Sequence, residues 1–125
     1  MEEILLKIAA DACERAYAPY SQFRVGAAIQ TETGEIFSGC NIENASYGLT
    51  VCAERVALWK AVSEGFHGFS VIAIVTEGVQ PVPPCGACCQ VLVEFNPEIK
   101  IISATLEGKQ VTWKLSELFP IPFRK

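Results

Sequence analysis

Cys52-Ala53-Glu54 and Pro84-Cys85-Gly86-Ala87-Cys88 put three thiols and a carboxylate into two short segments of a 125-residue chain. Three thiolates suit a zinc ion whose fourth position stays open for water, whereas a structural zinc site fills all four positions with protein. A metal with three protein ligands and a proton-transfer group beside it can make hydroxide near neutral pH. The C-x-x-C spacing of Cys85 and Cys88 lets one helical turn offer two sulfurs to one ion. On a regular helix, residues two apart point about 200° from each other. Cys52 and Glu54 can therefore address one spot only if Cys52 stands at a helix mouth, which sets the carboxylate beside the water and off the metal. Both thiol segments fall where helices are expected to begin, and unpaired amides at the positive helix end stabilise thiolate.

Arg55 follows directly and matters for charge. Zinc with three thiolates is net negative, and a guanidinium donating to the sulfurs would draw electron density from them. An ordinary solvated surface arginine is the other reading of Arg55. Two alternatives remain for the cysteines. Cys40 or Cys89 could close a purely structural site, or Cys85 and Cys88 could form a thioredoxin-like redox pair. Neither accounts for a glutamate two residues after an isolated cysteine. Cys13 and Cys40 fit small buried core residues. His67, between Phe66 and Gly68 and two residues past Gly65, reads as a loop residue, which leaves acid–base work to Glu54.

These residues need elements to hold them. Apolar positions at helical spacing predict a first helix over 3–18, ended by Ala18-Pro19-Tyr20-Ser21. Strands are expected over 23–30 and 35–40 around a Thr33-Gly34 turn, followed by an irregular polar stretch, 41–48. Helical periodicity returns over 50–63, with Gly65 as its stop. The β-branched run 71–75 reads as a central strand covered on both faces. A proline-rich connection, 79–84, leads to a helix reaching about Phe95, with Pro84 just before or within its first turn. Strands over 99–104 and 110–113 and a short helix, 115–118, complete the chain. Alternating strands and helices imply a three-layer α/β/α sandwich around a mixed five-stranded sheet, one domain over 1–125.

Composition narrows the partners. The net charge is −4 and the only adjacent basic pair is Arg124-Lys125, so a polynucleotide is not the expected partner. The longest uncharged run, 78–93, contains three prolines and falls short of a membrane span, so no membrane role is expected. The acidic start, Met1-Glu2-Glu3-Ile4, is unlike a secretory signal, and a cytoplasmic protein is the expectation. Half of the residues are hydrophobic, so some apolar surface is expected to be buried between subunits.

The segments Ala16-Tyr17-Ala18-Pro19-Tyr20-Ser21, Phe23-Arg24-Val25-Gly26-Ala27-Ala28 and Gly39-Cys40-Asn41-Ile42-Glu43-Asn44-Ala45-Ser46-Tyr47 join the two thiol motifs in a recognisable order. With them the chain resembles, over essentially its whole length, a small zinc-dependent cytidine deaminase of the short-chain, homotetrameric type. The resemblance implies one zinc per chain on Cys52, Cys85 and Cys88, a catalytic water, and Glu54 as proton shuttle. Hydroxide would attack C4 of cytidine or deoxycytidine, releasing ammonia and the uracil nucleoside for pyrimidine salvage. Asn41 and Glu43 match a pair that holds the sugar 3′-hydroxyl, and residues two apart on an extended segment share one side. The same resemblance implies that Phe23 packs on the base, the Ala53 backbone contacts it, and Tyr47 lies near the sugar. Phe123 matches an aromatic that covers the base in a neighbouring subunit. Relatives often carry arginine directly after the second cysteine of P-C-x-x-C, where this chain has Cys89. A blasticidin S-type or nucleobase deaminase, and a non-enzymatic zinc module, are the alternatives.

Overall fold

The computed structural model describes residues 1–125. Its elements in chain order are α1 (Glu2–Cys13), β1 (Val25–Thr31), β2 (Ile36–Cys40), a 3-10 turn (Tyr47–Leu49), α2 (Ala53–Ser63), β3 (Phe69–Thr76), α3 (Gly86–Val93), β4 (Lys100–Thr105), β5 (Gln110–Lys114) and α4 (Leu115–Leu118). The strands form one sheet in the order β2-β1-β3-β4-β5. Only β3 and β4 run parallel, so the sheet is mixed, as expected. β3 is central, and all its residues but Ser70 are buried, which is why its sequence is a continuous apolar run without alternation.

Side chains leave a strand on alternate faces, and the two faces of this sheet carry separate cores. On one face α1 packs Leu5 and Ala9 against Ala28, Ala73 and Ile102. On the other, α2 and α3 pack Ala57, Leu58 and Leu92 against Ile29, Ile72, Ile74 and Ile101. The result is the α/β/α arrangement read from the sequence.

Small residues bring α2 close to the sheet. Ala53, Ala57 and Ala61, one per turn, are all fully buried. A Cβ on Gly39 of β2 would stand 2.6 Å from the Ala57 amide nitrogen and 2.8 Å from the Ala53 carbonyl oxygen. Glycine at 39 is what allows helix backbone to touch strand backbone there.

Two boundaries differ from expectation by more than two residues. The first helix ends at Cys13, not near 18, because Tyr17 pairs with Ile42 in a parallel bridge. The Tyr17 amide donates to the Asn41 carbonyl at 3.0 Å and the Glu43 amide to the Tyr17 carbonyl at 2.9 Å. The second helix begins at Ala53, with Thr50 and Val51 outside it and Cys52 as its N-cap. No helix is long and apolar enough to cross a membrane.

Candidate metal centre and adjoining cleft

Cys52 and Cys85 are the N-caps of α2 and α3, both in extended backbone conformation. Serine or aspartate at such a position usually turns its side chain onto its own helix amides. Neither cysteine does so, and both sulfurs are free to face a common point. Cys88, one turn into α3, joins them, and the three sulfurs lie within 4.8 Å of one another. Cys52 Sγ and Cys85 Sγ are 3.8 Å apart. Two sulfurs of a tetrahedral zinc, each at about 2.3 Å from the ion, stand about 3.8 Å apart. The donor set and its spacing therefore fit zinc. Neither Cys40 nor Cys89 belongs to the cluster, so the closed four-thiol site has no fourth sulfur.

Around the cluster the electrostatics are uneven. The Cys52 thiol is pulled down in pKa, chiefly by a hydrogen bond with Cys88 and further by Arg55, against the opposing effect of burial. Cys88 is pushed up by that same bond and by burial. Arg55 Nη2 donates to Cys52 Sγ at 3.3 Å, and its guanidinium carbon is 6.0 Å from the centre of the Trp59 ring. The solvated-surface reading of Arg55 thus gives way to a contact with a ligand sulfur. Glu54 is only 6% exposed. Burial pushes its carboxyl up to about 7, so it can hold or release a proton near neutral pH.

Beside the sulfurs lies a cleft of about 270 Å³, at the small end for ligand pockets. Glu54, Ala53, Phe23, Asn41 and Glu43 all line it. Asn41 and Glu43 are also committed to the loop that carries Phe23. Asn41 Oδ1 accepts from the Val25 amide at 2.8 Å, and its Nδ2 donates to the Phe23 carbonyl at 2.9 Å. Glu43 Oε1 accepts from the Tyr20 and Ser21 amides at 2.9 and 3.1 Å, while Oε2 accepts from the Ser21 hydroxyl. The Ser21 hydroxyl oxygen in turn accepts from the Phe23 amide at 3.1 Å.

Two expected residues stand apart from the cleft. Tyr47 is exposed and meets Tyr20 edge-on, in a neighbouring pocket that shares Ser21, Glu43 and Thr50 with the cleft. Phe123 does not line the cleft of its own chain, and the residue is 75% exposed. Its backbone is held at both ends by Gln90, whose Nε2 donates to the Phe123 carbonyl at 3.0 Å and whose Oε1 accepts from its amide at 3.1 Å. The cleft also contains Ser21, Thr50, Val82 and Pro83, which the sequence did not single out. Val82 and Pro83 could have been found from their place just before Pro84 and Cys85, and Ser21 from the Ala16–Ser21 segment, which entered through resemblance and not as part of the site.

The family model for the cytidine and deoxycytidylate deaminase zinc-binding region matches residues 1–104. A cytidine deaminase of Halalkalibacterium halodurans is 50% identical over 122 residues, spanning 97% of this chain and 92% of that protein. A blasticidin-S deaminase of Bacillus cereus is 34% identical over 113 residues, spanning 84% and 80%. The crystal structure of a cytidine deaminase from Burkholderia pseudomallei superposes with a TM-score of 0.95 at 44% identity, covering 98% of this chain and 99% of that one.

Proposed function

Because the chain belongs to the cytidine and deoxycytidylate deaminase zinc-binding family, we propose that it hydrolyses the amino group of cytidine and deoxycytidine to give the uracil nucleoside and ammonia. One observation carries the assignment of roles: a buried carboxyl with an elevated pKa stands two residues from Cys52 of the three-sulfur cluster, in a cleft that Glu54, Cys52 and Cys85 all line. Zinc bound by Cys52, Cys85 and Cys88 supplies the Lewis acidity that makes water nucleophilic near neutral pH.

Glu54 moves the protons. It takes one from the attacking water and gives it to ring N3, which leaves C4 electrophilic as the water oxygen adds there. It then carries the remaining hydroxyl proton to the exocyclic amine. The C4–N bond breaks, C4 keeps its oxygen as a carbonyl, and ammonia leaves. Phe23 packs on the base, the Ala53 backbone contacts it, and Asn41 and Glu43 hold the 3′-hydroxyl, with Tyr47 near the sugar. Each carboxamide or carboxylate oxygen has two lone-pair sites and the Asn41 amide has two hydrogens, so their bonds to the loop leave capacity for a sugar. Arg55 draws electron density from the ligand sulfurs.

Phe123 completes the base pocket of a neighbouring subunit in a homotetramer. Its exposed ring on a tethered backbone supports that reading, as do the exposed Tyr17, Leu49 and Trp59 side chains. The protein works in the cytoplasm, where a reducing environment preserves thiol ligands.

The test is loss of the cytidine ultraviolet band with zinc-loaded protein, beside a chelator-treated sample and the Glu54→Gln variant. Turnover should vanish with zinc removal and fall roughly 10²–10⁴-fold in the variant. Near-normal turnover in Glu54→Gln would sink the role given to Glu54. Cytosine and blasticidin S as parallel substrates separate a nucleoside enzyme from its alternatives.

A further inference from the structure

Pro81-Val82-Pro83-Pro84 has a single backbone N–H, at Val82, so amide donors cannot hold this stretch in place. Yet Val82 and Pro83 line the cleft, and the stretch delivers Cys85 to the sulfur cluster. Its carbonyls are what the rest of the protein can grip, and two buried side chains grip them. Ser103, fully buried in β4, donates its hydroxyl to the Val82 carbonyl at 2.7 Å. Cys89, 3% exposed in α3, donates its thiol to the Pro84 carbonyl at 3.5 Å.

The two grips have firm foundations. β4 is hydrogen-bonded on both sides, to β3 and β5. Pro84 precedes the N-cap Cys85, and Cys89 is the fourth residue of α3. Contact between those two positions fixes the angle at which a chain enters its helix. A residue at the N-cap is then oriented from behind as well as from its own turn.

We propose that Ser103 and Cys89 are positioning residues that pin the Val82–Cys85 strap, and so set the place of the Cys85 thiol and of the cleft wall beside it. The role of the wall in substrate binding rests on the deaminase reading, whereas the role at the thiol does not. Cys89 has its own partner in Pro84 and serves as a staple, not as a spare ligand.

The experiment measures zinc transfer from the loaded full-length protein to an excess of chromogenic chelator, together with KM and kcat for cytidine. Removing a donor that holds a partly buried backbone carbonyl should speed zinc release about three- to tenfold for Ser103→Ala. Cys89→Ala should follow with a smaller change, since a thiol is a weaker donor. KM should rise in Ser103→Ala while kcat changes little. Ser103→Thr and Cys89→Ser, which keep a donor, should restore zinc retention. If both alanine variants release zinc within twofold of the parent rate, the pins do not exist. If the hydroxyl-bearing variants, folded as judged by circular dichroism, leak zinc like the alanine ones, volume matters and the hydrogen bonds do not, which also overturns the proposal. A parent protein inactive on cytidine would defeat the deaminase reading while leaving the zinc-release comparison decisive.

Discussion

Asn41 spends one hydrogen bond from each end of its carboxamide on the Phe23–Val25 backbone before any sugar arrives. Truncation to alanine therefore strips a buried donor and acceptor from that loop. Asn41→Ala should cost about 1–3 kcal/mol of stability and raise KM for cytidine, checked by thermal melting and steady-state kinetics. An unchanged melting temperature would mean that the loop does not depend on Asn41. The neighbouring Arg24–Glu77 pair, at 2.8 Å, holds the other side of the loop, and Glu77 also accepts from the Arg24 amide at 2.9 Å. The Arg24 guanidinium holds the Glu77 carboxyl below its ordinary value of 4.5. A depressed carboxyl stabilises the fold fully above the unfolded value and loses that contribution as pH falls through the folded one. The melting gap between the parent protein and Glu77→Gln should thus be largest near pH 7 and narrow as pH falls below the ordinary carboxylate value; a gap that does not change with pH would exclude the charge. The sequence revealed Phe23, Asn41 and Glu43 as a set by motif. It could not reveal the bonds that Ser21 and Glu77 make, because side-chain bonds to a loop exist only after distant segments have met.

At the level of elements, hydrophobic spacing located every helix and strand, and its largest errors lie at two ends. Ala12 and Ala16 continue a helical stripe, but the Tyr17 backbone finds strand-like partners around Ile42 and leaves the helix. Backbone pairing of that kind is invisible to periodicity. At α2 the N-cap is a cysteine, outside the usual serine, threonine and aspartate signals. The sequence placed Cys52 at the helix mouth through its spacing to Glu54, a chemical constraint that was sharper than propensity. The close approach at Gly39 was not legible, since nothing local marks which glycine will face a helix. Gly39→Ala should displace α2 and destabilise the fold by roughly 1–3 kcal/mol. Because Cys52 and Glu54 travel with α2, turnover should fall in protein that is still folded. A melting temperature and rate equal to the parent's would show that the contact can relax.

For the whole molecule, Tyr17, Leu49, Trp59 and Phe123 stand exposed, and a subunit interface would take them out of water. Truncation after Phe119 removes Phe123 and its clasp on Gln90 but no residue of either core. Turnover should collapse while the melting temperature moves little, and sedimentation should report whether assembly survives. Unchanged turnover would remove the tail from the site. The overall sandwich was legible because each strand's burial is written in its side chains. The role proposed for the tail rests on resemblance alone, since Phe123 packs on neither core of its own chain.

The ligand sulfurs of Cys52 and Cys85 are 33 positions apart, and the chain between them includes all of α2 and the central strand β3. A metal that joins them closes a loop around the middle of the sheet. By the same chain-entropy accounting as a cross-link, closing such a loop removes roughly 3–4 kcal/mol of freedom from the unfolded chain. The ion that serves chemistry at one edge of the protein would therefore also act as a knot in its thread, and a starved protein would lose its grip on its own central strand along with its activity.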